Sequence, residues 1–387
     1  MPEPMNVTHL TVAAPDQPQV QSRSIWGVSI VICAHNGADR LPATLAHLAA
    51  QTMPQGLLWE VIVVDNASID GTAEVAKVCW PSDAPSQLRL VYETTLGLTR
   101  ARCRGLEEAQ YEVVSFVDDD NWVAPDWVSI VADVMAHRKD VGACGGCVEA
   151  QCEQIPPPWF DRCREYYAVG TQHECGGDIT WSRGYLWGAG LTVRKSAWKE
   201  LGARGFCFQL NDREGGELMS GGDAEVCLAL RLAGWKIWYE PTLNLRHFIP
   251  AGRLKWEYLE RVARGFGSAS VILTAYSTVR QDRTQGIMVW MRSNWLCQTS
   301  VSLLRLVRLC GRCIFASTKW EGNEAALEIL CKRETLFKFF EMRGAYDRLC
   351  RRIHQMFLSG NLVAWPSPVR GGDALFITGR HYPRRQD

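Results

Sequence analysis

Between residues 28 and 117 the chain alternates short, unbroken apolar runs with segments whose leucines recur at helical spacing. "VSIVIC" (28–33), "WEVIVVD" (59–65), "LRLVYE" (88–93) and "YEVVSFV" (111–117) are rich in β-branched residues and carry no polar alternation. That is the pattern of strands buried on both faces. "DRLPATLAHLAAQ" places Leu41, Leu45 and Leu48 on one helical face, with Asp39 as a candidate cap and Pro42 in a first turn where it is tolerated. "DGTAEVAKVC" predicts a short helix behind a capping Asp70, and "TRARCRGLEEAQ" a third helix. Strands alternating with helices in this rhythm predict an α/β fold, a mostly parallel sheet with helices on both faces.

In such sheets ligands bind beyond the carboxyl ends of the strands. Three polar clusters fall there: "AHNGADR", "DNASIDGT" and "DDDNW". They are expected to face one crevice.

The rhythm changes near residue 140. "GACGGCVEA" reads as an edge strand, "YLWGAGLTVRKSAWKEL" as a strand followed by a helix, and "DAEVCLALRLAGW" as a helix stopped by Gly234. "KIWYEP" is a further strand. The Gly-rich "NDREGGELMSGG" before that late helix reads either as a closing loop that excludes water or as a passive connection. After about residue 250 only helical patterns follow. The organisation expected is a lead-in over 1–24, an α/β domain over 25–250 and a helical region over 251–387.

The 387 residues carry 42 basic and 42 acidic side chains, so net charge is zero and no basic surface for nucleic acid is expected. Fifteen cysteines are scattered through a long chain whose polar first two dozen residues lack an apolar signal core. A reduced, cytoplasmic protein is expected. "CGGC" (Cys144, Cys147) lacks a matching second pair, so small residues in a strand are preferred to a zinc site. No apolar run reaches the ~20 residues that span a bilayer. "SLLRLVRLCGR" sets arginines among leucines at helical spacing. It suits either a helix packed on the catalytic domain, the preferred reading, or a helix lying on the inner face of a membrane.

Three adjacent carboxylates, Asp118, Asp119 and Asp120, end the fourth strand with no cation beside them in sequence. A divalent metal would relieve their repulsion, and oxygen ligands of this kind suit Mn²⁺ or Mg²⁺ carrying phosphates. A nucleotide or nucleotide-sugar is implied.

"VSIVICAHNGADRLPATLAHLAAQ", "EVIVVDNASIDGT", "GLTRARCRG", "FVDDDNWVAPDW", "WGAGLTVRKSAW" and "GGDAEVCLALRLAGWKIWYEP" follow one another as in family 2 glycosyltransferases of the GT-A fold. The resemblance covers roughly residues 26 to 250. It implies an inverting enzyme that uses a nucleoside-diphosphate sugar, with UDP expected, and a glycan, lipid-linked or small-molecule acceptor. Asp65 then resembles the residue that binds the base, with backbone near Ala34 flanking it. Asp118 and Asp119 fall on the nucleotide side, Asp120 resembles the metal ligand, and Arg102 fits the arginine near the nucleotide. Asp223 resembles the catalytic base, although Gly222 replaces the usual Glu and Cys103 the usual Asn. Asp is also a common helix cap, which explains Asp223 without catalysis. Glu225 is the reserve base. His247, read as following the last strand, is a second candidate metal ligand or a packed histidine. Arg246 and Arg253 read as solvated. Trp187 with Gly188, and also Trp122 and Trp181, are candidates for the acceptor side. The alternatives are a nucleotide-sugar binder without turnover and, less favoured, a sugar nucleotidyltransferase, whose Gly-rich, basic first loop "CAHNGADR" does not reproduce.

Overall fold

The computed structural model describes residues 25–210, 221–279, 286–313 and 320–358. "NDREGGELMSGG" therefore lies almost wholly outside the described residues, as does the lead-in. The elements are, in order, β1 (Ile25–Ala34), α1 (Leu41–Ala49), β2 (Trp59–Asn66), α2 (Thr72–Cys79), β3 (Leu88–Glu93), α3 (Leu98–Glu108), β4 (Tyr111–Asp118) and β5 (Asn121–Val123). Next come α4 (Trp127–His137), β6 (Val141–Cys152), α5 (Phe160–Cys163), β7 (Gly177–Asp178), β8 (Thr192–Arg194), α6 (Lys195–Ala203), α7 (Gly222–Leu232) and β9 (Lys236–Ile249). Helices α8 (Trp256–Ser277), α9 (Gly286–Ser293), α10 (Trp295–Cys313), α11 (Glu324–Met342) and α12 (Gly344–Leu358) follow.

One nine-stranded sheet runs β3-β2-β1-β4-β8-β6-β9-β5, with β7 on β9. Strands β1 to β4, β6 and β9 run one way, and β5, β7 and β8 run against them. This is a mixed α/β sheet, mostly parallel, as the sequence pattern predicts. The apolar runs are continuous because both faces are covered. Ile30, Ile32, Val61 and Val63 pack with Leu41, Leu45 and Leu48 of α1 and with α4. Val31, Ile62, Val64 and Phe116 pack with α3, α6 and α7. Each fully buried aliphatic side chain of this kind contributes about 2 kcal/mol.

Three local expectations are corrected. Asp39 pairs with its neighbour Arg40 at the surface, and no side chain caps α1. β6 is an interior strand between β8 and β9. Its small residues answer to crowding: a Cβ on Gly142 would meet the Trp235 side chain at 2.7 Å, and one on Gly146 would meet the Leu243 carbonyl oxygen. Finally, β9 does not stop at Pro241. The β6–β9 register jumps between Gly145↔Tyr239 and Cys147↔Asn244, and Pro241 sits in that bulge, where a missing N–H costs no ladder bond. The strand then resumes and carries His247 inside it, opposite Asn121 of β5.

Candidate active site

The strand order reverses at β1, where β2 and β4 flank it, so the loops after β1 and β4 diverge and open a crevice. Register sets Ala34 beside Asp65, and Cys33 beside Asp118, along one edge of the sheet. The polar clusters do converge. The first two are also stitched together. Asn36, held at φ +48°, donates its backbone N–H to Ser68 Oγ and accepts Ile69 N–H on Oδ1. Gly37 N–H donates to Thr72 Oγ1. Asp70 accepts the first-turn N–H of Thr72 and also Ala38 N–H. Buried Asn66 ties in the turn before α3, donating to the Glu93 and Thr95 carbonyls and accepting Gly97 N–H. Sequence reasoning overlooked this scaffold, whose signal is the density of Asn, Ser and Thr in the two loops.

The acidic triplet is not short of cations. Each aspartate faces its own arginine, drawn from a different part of the chain. Asp118 Oδ1 lies 3.8 Å from Arg102 Nη2 of α3. Asp119 Oδ2 accepts from Arg40 Nη2 at 2.9 Å. Asp120 Oδ2 accepts from Arg253 Nη1 at 2.9 Å. Arginines thus balance these charges without a metal, and the metal expectation turns on the surroundings of Asp120. Arg253, read from sequence as solvated, is committed to Asp120; Arg246 is exposed, as read.

Asp119 is turned away from the nucleotide role. Its carboxylate meets Arg40, its carbonyl oxygen accepts the Thr44 hydroxyl, and a Cβ on Gly37 would run into its Oδ2. It fastens β4 to the start of α1. Burial first, then Asp120, push its carboxyl up to about 6 against the pull of Arg40.

Asp120 is almost fully buried, and its environment tests the metal expectation. His247 donates Nδ1–H to the Tyr167 carbonyl at 2.9 Å, which leaves Nε2 as the acceptor of the neutral ring. That nitrogen lies 3.6 Å from Asp120 Oδ1. Two acceptors thus face one point, and Arg253 Nη1 stands there, 3.3 Å from the imidazole. A carboxylate oxygen with an imidazole oriented through its other nitrogen is a donor pair that fits Mn²⁺, and Mg²⁺ less well. Among the described residues no cluster of three or more His, Cys, Asp or Glu forms a cage by itself. Further ligands would have to come from phosphate or water, as expected for such a cation.

A second group assembles beside Asp118. Arg102, largely buried over the Phe116 ring, shares a small cavity with Asp223, Trp198 and Phe208. A Cβ on Gly188 would lie 2.6 Å from Arg102 Nη2 and 3.2 Å from Asp223 Oδ2, so both side chains reach the same stretch of backbone. Any larger residue there would have to push the end of Arg102 aside. Asp223 does not cap its helix: the N-cap of α7 is Gly221, and no side chain caps it. Asp223 Oδ1 accepts only the adjacent Ala224 N–H among the described bonds.

Asp65 is buried, with Oδ1 taking the Ser68 N–H at 3.1 Å. Glu225 is a correction. It is completely buried, its oxygens accepting the Gln209 and Leu210 N–H groups and the Tyr276 hydroxyl at 2.8 Å. It pins the 209–210 strap to α7 and α8 and cannot reach an acceptor. Trp187 is buried under the Arg183 guanidinium, 4.8 Å from its ring, and so offers no open stacking face. Trp122 is stacked with His47 and Phe248. Trp181 stays nearly half exposed.

Residues 29–202 match the family model described as Glycosyl transferase family 2. This segment belongs to glycosyl transferase family 2. Similar proteins include the putative glycosyltransferase EpsH of Bacillus subtilis, 25% identical over 146 residues, which are 36% of this chain and 41% of EpsH. Another is the glucosyl-dolichyl phosphate glucuronosyltransferase of Haloferax volcanii, 23% identical over 238 residues, or 60% of this chain and 72% of that protein. The cholesterol galactosyltransferase of Borreliella burgdorferi is 31% identical over 27% of this chain and 28% of its own. The chain thus spans less than half of two of these three relatives. Among solved structures, S. aureus TarS 1–349 in complex with UDP-GlcNAc is similar at 13% identity and a TM-score of 0.44, covering 83% of this chain and 92% of that one. In the family 2 segment, Ala34, Asp65 and Asp118 share one edge of the sheet, Arg102 of α3 faces Asp118, and Gly188 lies against Arg102. Asp223 and His247 lie beyond its end and are folded back onto it.

Proposed function

We propose that this family 2 glycosyltransferase moves a hexosyl or N-acetylhexosaminyl group from a nucleoside-diphosphate sugar to an acceptor hydroxyl, with inversion at the anomeric carbon. The observation that carries the reading is the approach of Asp223 and Arg102 to Gly188 beside Asp118, with Asp223 free of capping duty.

Asp65, one oxygen held by Ser68, presents the other to a base N–H, and uracil offers one; the backbone at Ala34 flanks the ring. Asp118 accepts from the ribose. Arg102 meets the negative charge of the diphosphate. Asp120 and His247 would hold Mn²⁺ or Mg²⁺, which when bound supplies positive charge to the departing diphosphate. Asp223 accepts the acceptor's hydroxyl proton as that oxygen bonds to the anomeric carbon. The bond from that carbon to the diphosphate oxygen breaks with its electron pair, and the nucleoside diphosphate leaves. The acceptor is a glycan, a lipid-linked sugar or a small molecule.

The test is nucleoside-diphosphate release from a panel of UDP- and GDP-sugars, with Mn²⁺, Mg²⁺ or EDTA. Slow, cation-dependent UDP release from one donor is the expected result. Tight UDP-sugar binding without release, across an acceptor panel, would replace this reading with a non-catalytic binder.

A further inference from the structure

Helix α10 is amphipathic in the wrong direction. Its outward face carries Leu296, Leu303, Leu304 and Val307, and the last two are 57% and 59% exposed. Its inward face, packed along α11, buries Thr299 and Ser302. A helix that owed its place only to the protein core would put leucine in and serine out. The packed reading of this segment therefore holds for one face only.

The neighbouring helices also expose apolar side chains, Trp290 and Met291 on α9 and Phe337 and Phe340 on α11. The α11–α12 turn is fastened to the α9–α10 junction: Tyr346 Oη donates to the Arg292 carbonyl at 3.0 Å, and Trp295 N–H to Asp347 Oδ1 at 2.8 Å. An apolar surface of this kind on a soluble face marks an interaction site. Charge indicates the partner. Residues 286–313 hold four arginines (292, 305, 308 and 312) and no Lys, Asp or Glu. Arg305 and Arg308 are exposed among the leucines. Among the described residues no helix is long and apolar enough to cross a membrane.

We propose that α9 and α10 form a monotopic contact with an anionic lipid bilayer. α10 lies in the interface plane, with Leu303, Leu304 and Val307 among the acyl chains and Arg305 and Arg308 on headgroup phosphates. A second copy of the chain fits less well, because a two-fold contact would set arginines against arginines. The contact is independent of the glycosyl-transfer reading.

The experiment is flotation of the full chain with vesicles of phosphatidylcholine alone or with added phosphatidylglycerol, at low and high salt. Binding to the anionic vesicles is expected to exceed that to neutral ones by roughly tenfold or more and to weaken with salt. Arg305→Gln/Arg308→Gln is expected to erase the anionic preference. Leu303→Ser/Leu304→Ser/Val307→Ser is expected to lower binding to both vesicle types by roughly tenfold or more, with the melting temperature kept because these side chains are exposed. Three outcomes would overturn the proposal: no binding to either vesicle, apolar variants that bind like the parent, or a dimer that the apolar variants dissociate while vesicles are ignored.

Discussion

Replacing Arg253 by Met separates the two states available to Asp120. In the native chain the guanidinium holds Asp120 Oδ2 at 2.9 Å, and the Asp120 side chain is only 4% exposed. Removal leaves a buried carboxylate with Asn121 Nδ2 at 3.2 Å as a neutral donor. Breaking a buried pair from one side costs about 3–5 kcal/mol. Arg253 is itself about one-fifth exposed, so the lower end applies. At ~3 kcal/mol, a chain of this length should melt about 4 °C lower. Mn²⁺ held by Asp120 and His247 would replace the lost charge. Arg253→Met is therefore expected to melt well below the parent in EDTA and to recover most of the difference in Mn²⁺. The parent should respond less, because there the metal must first displace Arg253. Thermal melts of both proteins across a Mn²⁺ titration measure this directly. Equal melting in EDTA, or an equal Mn²⁺ response in both, would refute the reasoning.

Three other outcomes are expected. Gly188→Ala sets a methyl group against the end of Arg102 and close to Asp223, so donor Kd should rise and kcat should fall, each by roughly threefold or more, read by paired turnover and binding titrations. Glu225→Ala strands two backbone N–H groups and the Tyr276 hydroxyl, and denaturant unfolding should report a loss of about 3 kcal/mol or more. Asp119 is raised to about 6 in the fold, above its unfolded value, so the folded state binds its proton more tightly. Its contribution is present at low pH and lost as pH climbs from the ordinary carboxylate range through about 6. In EDTA, the stability of the parent relative to Asp119→Asn should fall across that window, and a flat difference would contradict the assignment.

The half of the sheet from β1 to β4 was legible because each strand is buried on both faces, so its run of β-branched residues is continuous, and because leucine spacing marks α1. β6 was misread because the small residues that usually weaken a strand are here required by Trp235 and Leu243. Pro241 hid the second half of β9, since a bulge is invisible to periodicity. The carboxyl-end crevice followed from topology, which also set Asp65 and Asp118 at strand ends along it. The counterions did not. Arg40 and Arg253 reach their partners across 79 and 133 residues, and no local pattern reports such a distance. Glu225 and Trp187 looked available because sequence gives residue type without exposure.

Asp223 as the base is tested most directly by Asp223→Asn, which keeps size and removes basicity. With the donor and acceptor identified, kcat should drop by a factor on the order of 10²–10⁴. Donor Kd should hold within about twofold, because a base contributes to the transition state and not to ground-state binding. An Asn variant that turns over at the parental rate, or one that loses donor affinity in proportion to its rate, would contradict the assignment.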